Sequence, residues 1–216
     1  MGSIVVDENL SSMMEKLSEK LNKKRYLHSL GVMDTAACLA MKYGCDIKKA
    51  RYAGLLHDCA KNIESNRLIE KAEKYKIPLS DTERDNPDLL HAKIGKYVAK
   101  HDYGIVDEEI LNAIFYHTTG KPDMSLLEKI IFVSDYIEPN RTSDIPGILE
   151  IRNMAFTDID RCVALICCNS LGYLKEKNAI IDKITEETFE YYKKYLKFKD
   201  RKESIIWHYL KKQSKL

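Results

Sequence analysis

The sequence has little of what builds sheets, spans membranes or grips nucleic acid. Val, Ile and Thr never gather into alternating runs, so no segment reads as a half-buried strand. No apolar run reaches the roughly 18 residues that a membrane span needs. Net charge is small: 35 Lys and Arg against 33 Asp and Glu leave +2, too little for the footprint of a nucleic-acid binder. The first ten residues lack the cationic and apolar regions of a secretory signal. Val6 stands where N-myristoylation after Gly2 would need Ser or Thr. No two of the six cysteines, Cys38, Cys45, Cys59, Cys162, Cys167 and Cys168, form a C-x-x-C pair. They read as reduced, buried, structural thiols of a cytoplasmic protein, Cys59 included.

What is present is a globular composition, 44% hydrophobic and 31% charged over 216 residues. That length can bury a core without disulfides. Apolar residues recur at three- and four-residue steps, which predicts an all-α fold. A first amphipathic helix spans about Asn9–Lys24 and a second Arg25–Tyr43, stopped by Gly44. Asp46 caps a third, Ile47–Cys59, and a fourth covers Ser65–Tyr75. Residues 76–86 are polar and turn-prone, the best candidate for a mobile loop. Helices resume over Pro87–Tyr103 and from Asp107 to about His117. Ser125 and Glu128 form a capping box for Leu126–Ile137. Pro139 and Pro146 frame an irregular stretch. Two long helices follow, Asp158–Lys175 and Thr185–Leu210. The organisation is one helical domain, residues 1–190, with a helical extension, 191–216, rich enough in aromatics to serve a homodimer.

The chemistry lies in the histidines. Five of the six, His28, His57, His91, His101 and His117, precede residue 120; His208 is the sixth. His57 and Asp58 end an apolar helix, where an imidazole and a carboxylate are costly unless paired or bound to metal. His28, His91 and His117 also fall on or at the ends of apolar helices. Asp135 lies inside the apolar run from Ile130 to Tyr136, where an unpaired carboxylate would be expensive. Together they form a nitrogen and oxygen donor set that suits Fe, Mn, Co, Ni or Zn.

This ordered set resembles the HD superfamily of metal-dependent phosphohydrolases. Flanking residues narrow the likeness: Arg25-Tyr26-x-His28-Ser29-x-Gly31-Val32, Gly54-Leu55-Leu56-His57-Asp58-x-x-Lys61, His91-Ala92-x-x-Gly95, Tyr116-His117-Thr118-Thr119-Gly120 and Asp135-Tyr136-Ile137-Glu138-Pro139-x-Arg141. Over residues 15–190 these are similar to the bacterial YqeK family, symmetrical bis(5′-nucleosyl)-tetraphosphatases that split diadenosine tetraphosphate into two ADP. The resemblance implies that His28, His57, Asp58 and Asp135 hold the main metal, iron first. It implies that His91 and His117 complete a second position or contact phosphate, and that Asp58 bridges. Arg25, Lys61 and Arg141 are the cations expected on phosphate oxygens. Catalysis would then rest on Asp58, Lys61, His91 and His117. Thr118, Tyr136 and the stretch from Ser170 to Lys175 are expected to line the nucleotide pocket. The partners implied are a dinucleoside polyphosphate and an ADP-like product. The alternatives are an HD hydrolase of another nucleotide, an HD-type diiron oxygenase, and a nucleotide-sensing module without activity. The Gly-Tyr-Pro element of cyclic-dinucleotide phosphodiesterases is absent.

Overall fold

Side-chain caps set most helix starts. The computed structural model describes residues 7–141, 145 and 147–196. In it, Asp7 accepts from Leu10 N to open α1 (Glu8–Lys20), and Asn22 accepts from Arg25 N to open α2 (Lys23–Tyr43). Each such cap contributes about 1 kcal/mol. Gly44, at φ 72°, ends α2 with the left-handed residue that a helix terminus favours. Asp46 caps α3 (Ile47–Leu56), and α4 spans Ser65–Lys74. A short α5 (Asp81–Asp85) and a 3₁₀ turn (Pro87–Leu89) lead into α6 (Leu90–Asp102). Asp107 caps α7 (Glu108–Tyr116), and the Ser125–Glu128 capping box opens α8 (Leu126–Ile137). Then come α9 (Ile148–Ala155), α10 (Ile159–Glu176), α11 (Lys183–Tyr192) and a 3₁₀ turn (Lys193–Tyr195). No strand occurs among the described residues.

Five expectations need correction. The first helix stops at Lys20, because Asn22 caps a new one rather than continuing the old. Residues 76–86 are not all loop: the Ser80–Glu83 capping box builds α5 there, and Lys93 Nζ holds the buried Glu83 at 2.7 Å. The stretch after Pro146 contains α9, whose Ile148, Ile151, Met154 and Ala155 are buried. Among the described residues the last α-helix, α11, begins at Lys183 and ends at Tyr192 before a 3₁₀ turn, and the part of the expected helix from residue 197 to Leu210 lies outside the described residues. Of the expected extension, residues 191–196 are described, and Tyr192 is fully buried with its hydroxyl accepting from Met124 N. Residues 197–216, with His208, lie outside the described residues. All six cysteines are free, but Cys38 is exposed and Cys45 half-buried, so only Cys59, Cys162, Cys167 and Cys168 are buried as expected.

The core is a layer of helices around α3 and α8. α2 packs on both, α7 packs on α3, α6 and α8, and α10 covers α8 from the other side. Leu39, Leu55, Ile94, Ile114 and Ile130 are fully buried at its centre. Each contributes about 1.5–3 kcal/mol by leaving water. Gly54 lets α2 and α3 touch: a Cβ there would lie 2.9 Å from the Met33 Cα. A Gly54→Ala change would push apart two helices that carry His28 and His57. Five helices bring the His/Asp set inward: α2, α6, α7 and α8 one member each, and the end of α3 two, His57 and Asp58. No helix among the described residues is long and apolar enough to cross a membrane.

Candidate metal centre

The polar ends of these helices meet at one buried point. His57 sits at the C-terminus of α3, where the last carbonyls lack a helical partner. Its Nδ1–H donates to one of them, Gly54 O, at 2.8 Å. His117 repeats the device at the end of α7, donating from Nδ1 to Ile114 O at 2.7 Å. His91, in the first turn of α6, gives its Nδ1–H to the Asp88 carbonyl. His28, inside α2, instead finds a side chain: its Nδ1 lies 3.0 Å from Glu138 Oε1.

These four bonds fix the tautomers. An acceptor at Nδ1 puts the ring proton there and leaves the Nε2 lone pair bare. All four Nε2 atoms face inward. Those of His28 and His57 are 3.3 Å apart, as are those of His91 and His117. Two lone pairs at that distance in a buried site repel each other, and a cation between them converts the repulsion into ligation. The C-termini of α3 and α7 also point their negative dipole ends at this spot. The donor set therefore fits divalent metal.

The carboxylates divide the cluster into two overlapping sets. Asp135 Oδ1 lies 3.0 Å from His28 Nε2 and 3.8 Å from His57 Nε2. Asp58 Oδ2 lies 3.9 and 3.5 Å from the same two atoms. Asp58 Oδ1 turns the other way, 3.4 Å from His91 Nε2 and 3.6 Å from His117 Nε2. Asp58 thus groups with His28 and His57 on one side and with His91 and His117 on the other, while Asp135 groups with His57 and His117. Burial pushes the Asp58 carboxyl up, but the polar surroundings of His57, His117 and His91 outweigh it. They hold it well below the usual carboxylate range. Asp135 is also pushed up by burial, and His28, His57 and Arg141 outweigh that and lower it. Burial brings His91 down to about 3, so its ring is neutral, as a ligand must be.

The cations come close, but onto the ligands themselves. Arg25 Nη1 donates to Asp58 Oδ2 at 2.7 Å. Arg141 donates to Asp135 twice, to Oδ1 at 2.7 Å and to the backbone carbonyl at 3.0 Å. Lys61 Nζ lies 3.2 Å from His91 Nδ1. The Thr118 hydroxyl lies 3.1 Å from His117 Nε2 and 3.3 Å from His91 Nε2. Tyr136 is one residue from Asp135, and its hydroxyl accepts from Asn169 on α10 at 3.2 Å. Ser170 follows Asn169 and is half-buried, while Lys175 is exposed in the last turn of α10. Cys59 turns away, its thiol donating to Gly95 O, and burial raises it well above its ordinary range.

Two residues were not singled out by sequence. Glu138 is buried, 1% exposed, and its Oε2 also accepts from Asn140 N at 2.6 Å. Gly31 makes room for it: a Cβ on Gly31 would lie 2.4 Å from Glu138 Oε2. Arg152, on the unforeseen α9, donates to the carbonyls of Ile137, Glu138 and Arg141 and ties down the same turn. The acid in Asp135-Tyr136-Ile137-Glu138-Pro139 was the available signal.

A family model for the HD domain matches residues 25–140. A Bacillus subtilis protein named bis(5′-nucleosyl)-tetraphosphatase, symmetrical, is 41% identical over 162 residues, 75% of this chain and 86% of its own. A Halalkalibacterium halodurans protein of the same name is 40% identical over 181 residues, 84% of this chain and 95% of its own. A crystal structure from Clostridium acetobutylicum, described as a predicted HD superfamily hydrolase involved in NAD metabolism, is 41% identical. It superposes with a TM-score of 0.82 over 86% of this chain and 97% of that one.

Proposed function

Since the chain belongs to the HD-domain family, we propose that it is a metal-dependent hydrolase that cuts diadenosine tetraphosphate at its central bridge, giving two ADP. The observation that carries this reading is the division of Asp58 between two sets of inward-facing Nε2 atoms. The symmetrical tetraphosphatases from Bacillus and Halalkalibacterium supply the substrate class.

We assign His28, His57, Asp58 and Asp135 to one divalent ion and Asp58, His91 and His117 to a second. Iron is our first choice, and Mn, Co, Ni or Zn would accept the same donors. Such ions supply Lewis acidity toward phosphate oxygens and make water a stronger acid. The side chains do the rest. The Arg25 and Arg141 side chains are about one-third exposed, so each can turn from its carboxylate toward a phosphoryl oxygen. Arg presents a fork that matches two such oxygens, while Lys61 adds a point charge. Thr118 donates from its hydroxyl to an oxygen of the group under attack. Tyr136, Asn169 and Ser170 hold the ribose or base of one half. Water adds to one phosphorus of the central bridge, the bridging P–O bond breaks, and ADP leaves as a phosphate anion whose charge Lys61 and Arg141 counter. The reading favours a soluble, cytoplasmic enzyme, and the homodimer remains part of the proposal.

The test is chromatography of the products from diadenosine tetraphosphate after incubation with iron- or manganese-loaded protein under reducing conditions. ADP as the sole product, abolished by a chelator, is expected. ATP with AMP would overturn the symmetrical cut. No hydrolysis with either ion would overturn the substrate.

A further inference from the structure

A second cleft lies outside the metal centre. It encloses about 450 Å³ between α1, α4 and the end of α6. None of the six His/Asp ligands lines it. Its floor includes Cys59 and Tyr103, and its walls carry four cations: Lys16 and Lys20 from α1, Arg67 and Lys71 from α4. Each pair is spaced i, i+4, so each forms a row one helical turn, roughly 5–6 Å, long. The two rows both border the same space. Glu64 and Asp102 also border it, so four cations less two carboxylates leave two positive charges.

Some surface lysines of this protein are neutralised by carboxylates. Lys49, Lys93 and Lys129, for example, sit 2.9, 2.7 and 2.7 Å from carboxylate oxygens. Lys20, Arg67 and Lys71 have no such partner among the described residues. Lys16 donates to the Asp102 carbonyl and lies over the Tyr103 ring, 5.1 Å from its centroid, and so also lacks a carboxylate. Like charges facing one cleft repel one another until an anion enters. A single carboxylate would satisfy one or two of them. A chain of phosphates would offer several oxygens to both rows at once.

We propose that this cleft is a separate binding site for the phosphate chain of a nucleoside di- or oligophosphate. It adjoins the catalytic segment: Cys59 follows Asp58, and Asn62 follows Lys61. An occupant therefore braces the turn that carries both. The cleft's unpaired cations and the space between them are independent of the tetraphosphatase activity.

The probe is ADP, titrated calorimetrically into the metal-loaded full-length protein and into the triple variant Lys20→Ala/Arg67→Ala/Lys71→Ala. These three side chains are at the surface and unpaired, so the variant is expected to melt as the wild type does and to keep its hydrolytic kcat and KM. The expected result is two ADP bound by wild type and one by the variant, the lost site weakening by roughly tenfold or more. If the catalytic centre does not hold ADP, the counts become one and none, which still supports the cleft while failing the tetraphosphatase reading. Equal counts and affinities in the two proteins overturn the proposal.

Discussion

Replacing Glu138 with Gln keeps shape and volume but removes one charge, and its consequence can be worked from the geometry. The carboxylate accepts two hydrogen bonds on opposite oxygens, from His28 Nδ1 and from Asn140 N. An amide has only one acceptor oxygen, so one of these donors must face an NH₂ group. Leaving a buried donor unmet costs about 1–3 kcal/mol. If the amide turns its oxygen to Asn140 N, His28 loses the anchor that fixes its ring, and supporting residues of this kind are worth about 10–100-fold in metal affinity. Gly31→Ala attacks the same contact without touching the charge. Ala is the better helix former by about 1 kcal/mol, yet its Cβ would meet Glu138 Oε2 at 2.4 Å. Both variants should therefore lower metal affinity by roughly tenfold or more. Competition against a chelator of known affinity measures this, and melting of the chelated proteins separates it from global unfolding. Affinity within twofold of wild type in both variants would refute the reasoning.

Other perturbations separate the parts of the site. Asp58→Ala removes a donor from both metal positions, so metal content and turnover should fall together, by more than the roughly 100-fold that a supporting residue costs; full turnover in this variant would sink the ligand assignment. In chelated protein His91 is neutral with its pKa lowered to about 3, against about 6.5 when unfolded. The unfolded chain therefore takes up more protons between those values, and stability falls as pH drops through that window. From pH 6 to pH 5 the loss due to His91 is about 1 kcal/mol. Denaturant midpoints should show a shallower loss in His91→Gln, and parallel curves would exclude the effect. Gly120→Ala places a side chain at φ 65° and 2.6 Å from the Thr188 methyl. It should cost about 1–2 kcal/mol and lower the melting temperature by roughly 3–8 °C; an unchanged melting temperature would contradict the packing of α11 on this loop.

Much of this was legible in the sequence because each ligand interrupts an apolar run, and because Gly44, Asp46 and the Ser125–Glu128 box punctuate the helices locally. The structure brings all six of His28, His57, Asp58, His91, His117 and Asp135 together. α9 was obscured because Gly147 opens it at φ 69° with no side-chain cap, just after Pro146. α5 has no apolar stripe, only the capping box of Ser80 and Glu83. Glu138 beside Pro139 reads as a surface acid, and its burial depends on α2, some 110 positions away. Arg25 and Arg141 were read for their attraction to phosphate, and the same charge draws them to Asp58 and Asp135.

The four imidazoles differ in one respect that bears on how the centre tolerates change. His57, His91 and His117 are each tied to a carbonyl three residues earlier in their own chain segment. Ring and tether travel together, so a sliding or tilting of α3, α6 or α7 carries both along unaltered. His28 alone is tethered across the molecule, to the end of α8. That one bond gauges the spacing between α2 and α8. Drift accumulating in the packing of the bundle would thus be felt first at His28, and lineages that repack this core should be constrained there while remaining free to vary around the other three.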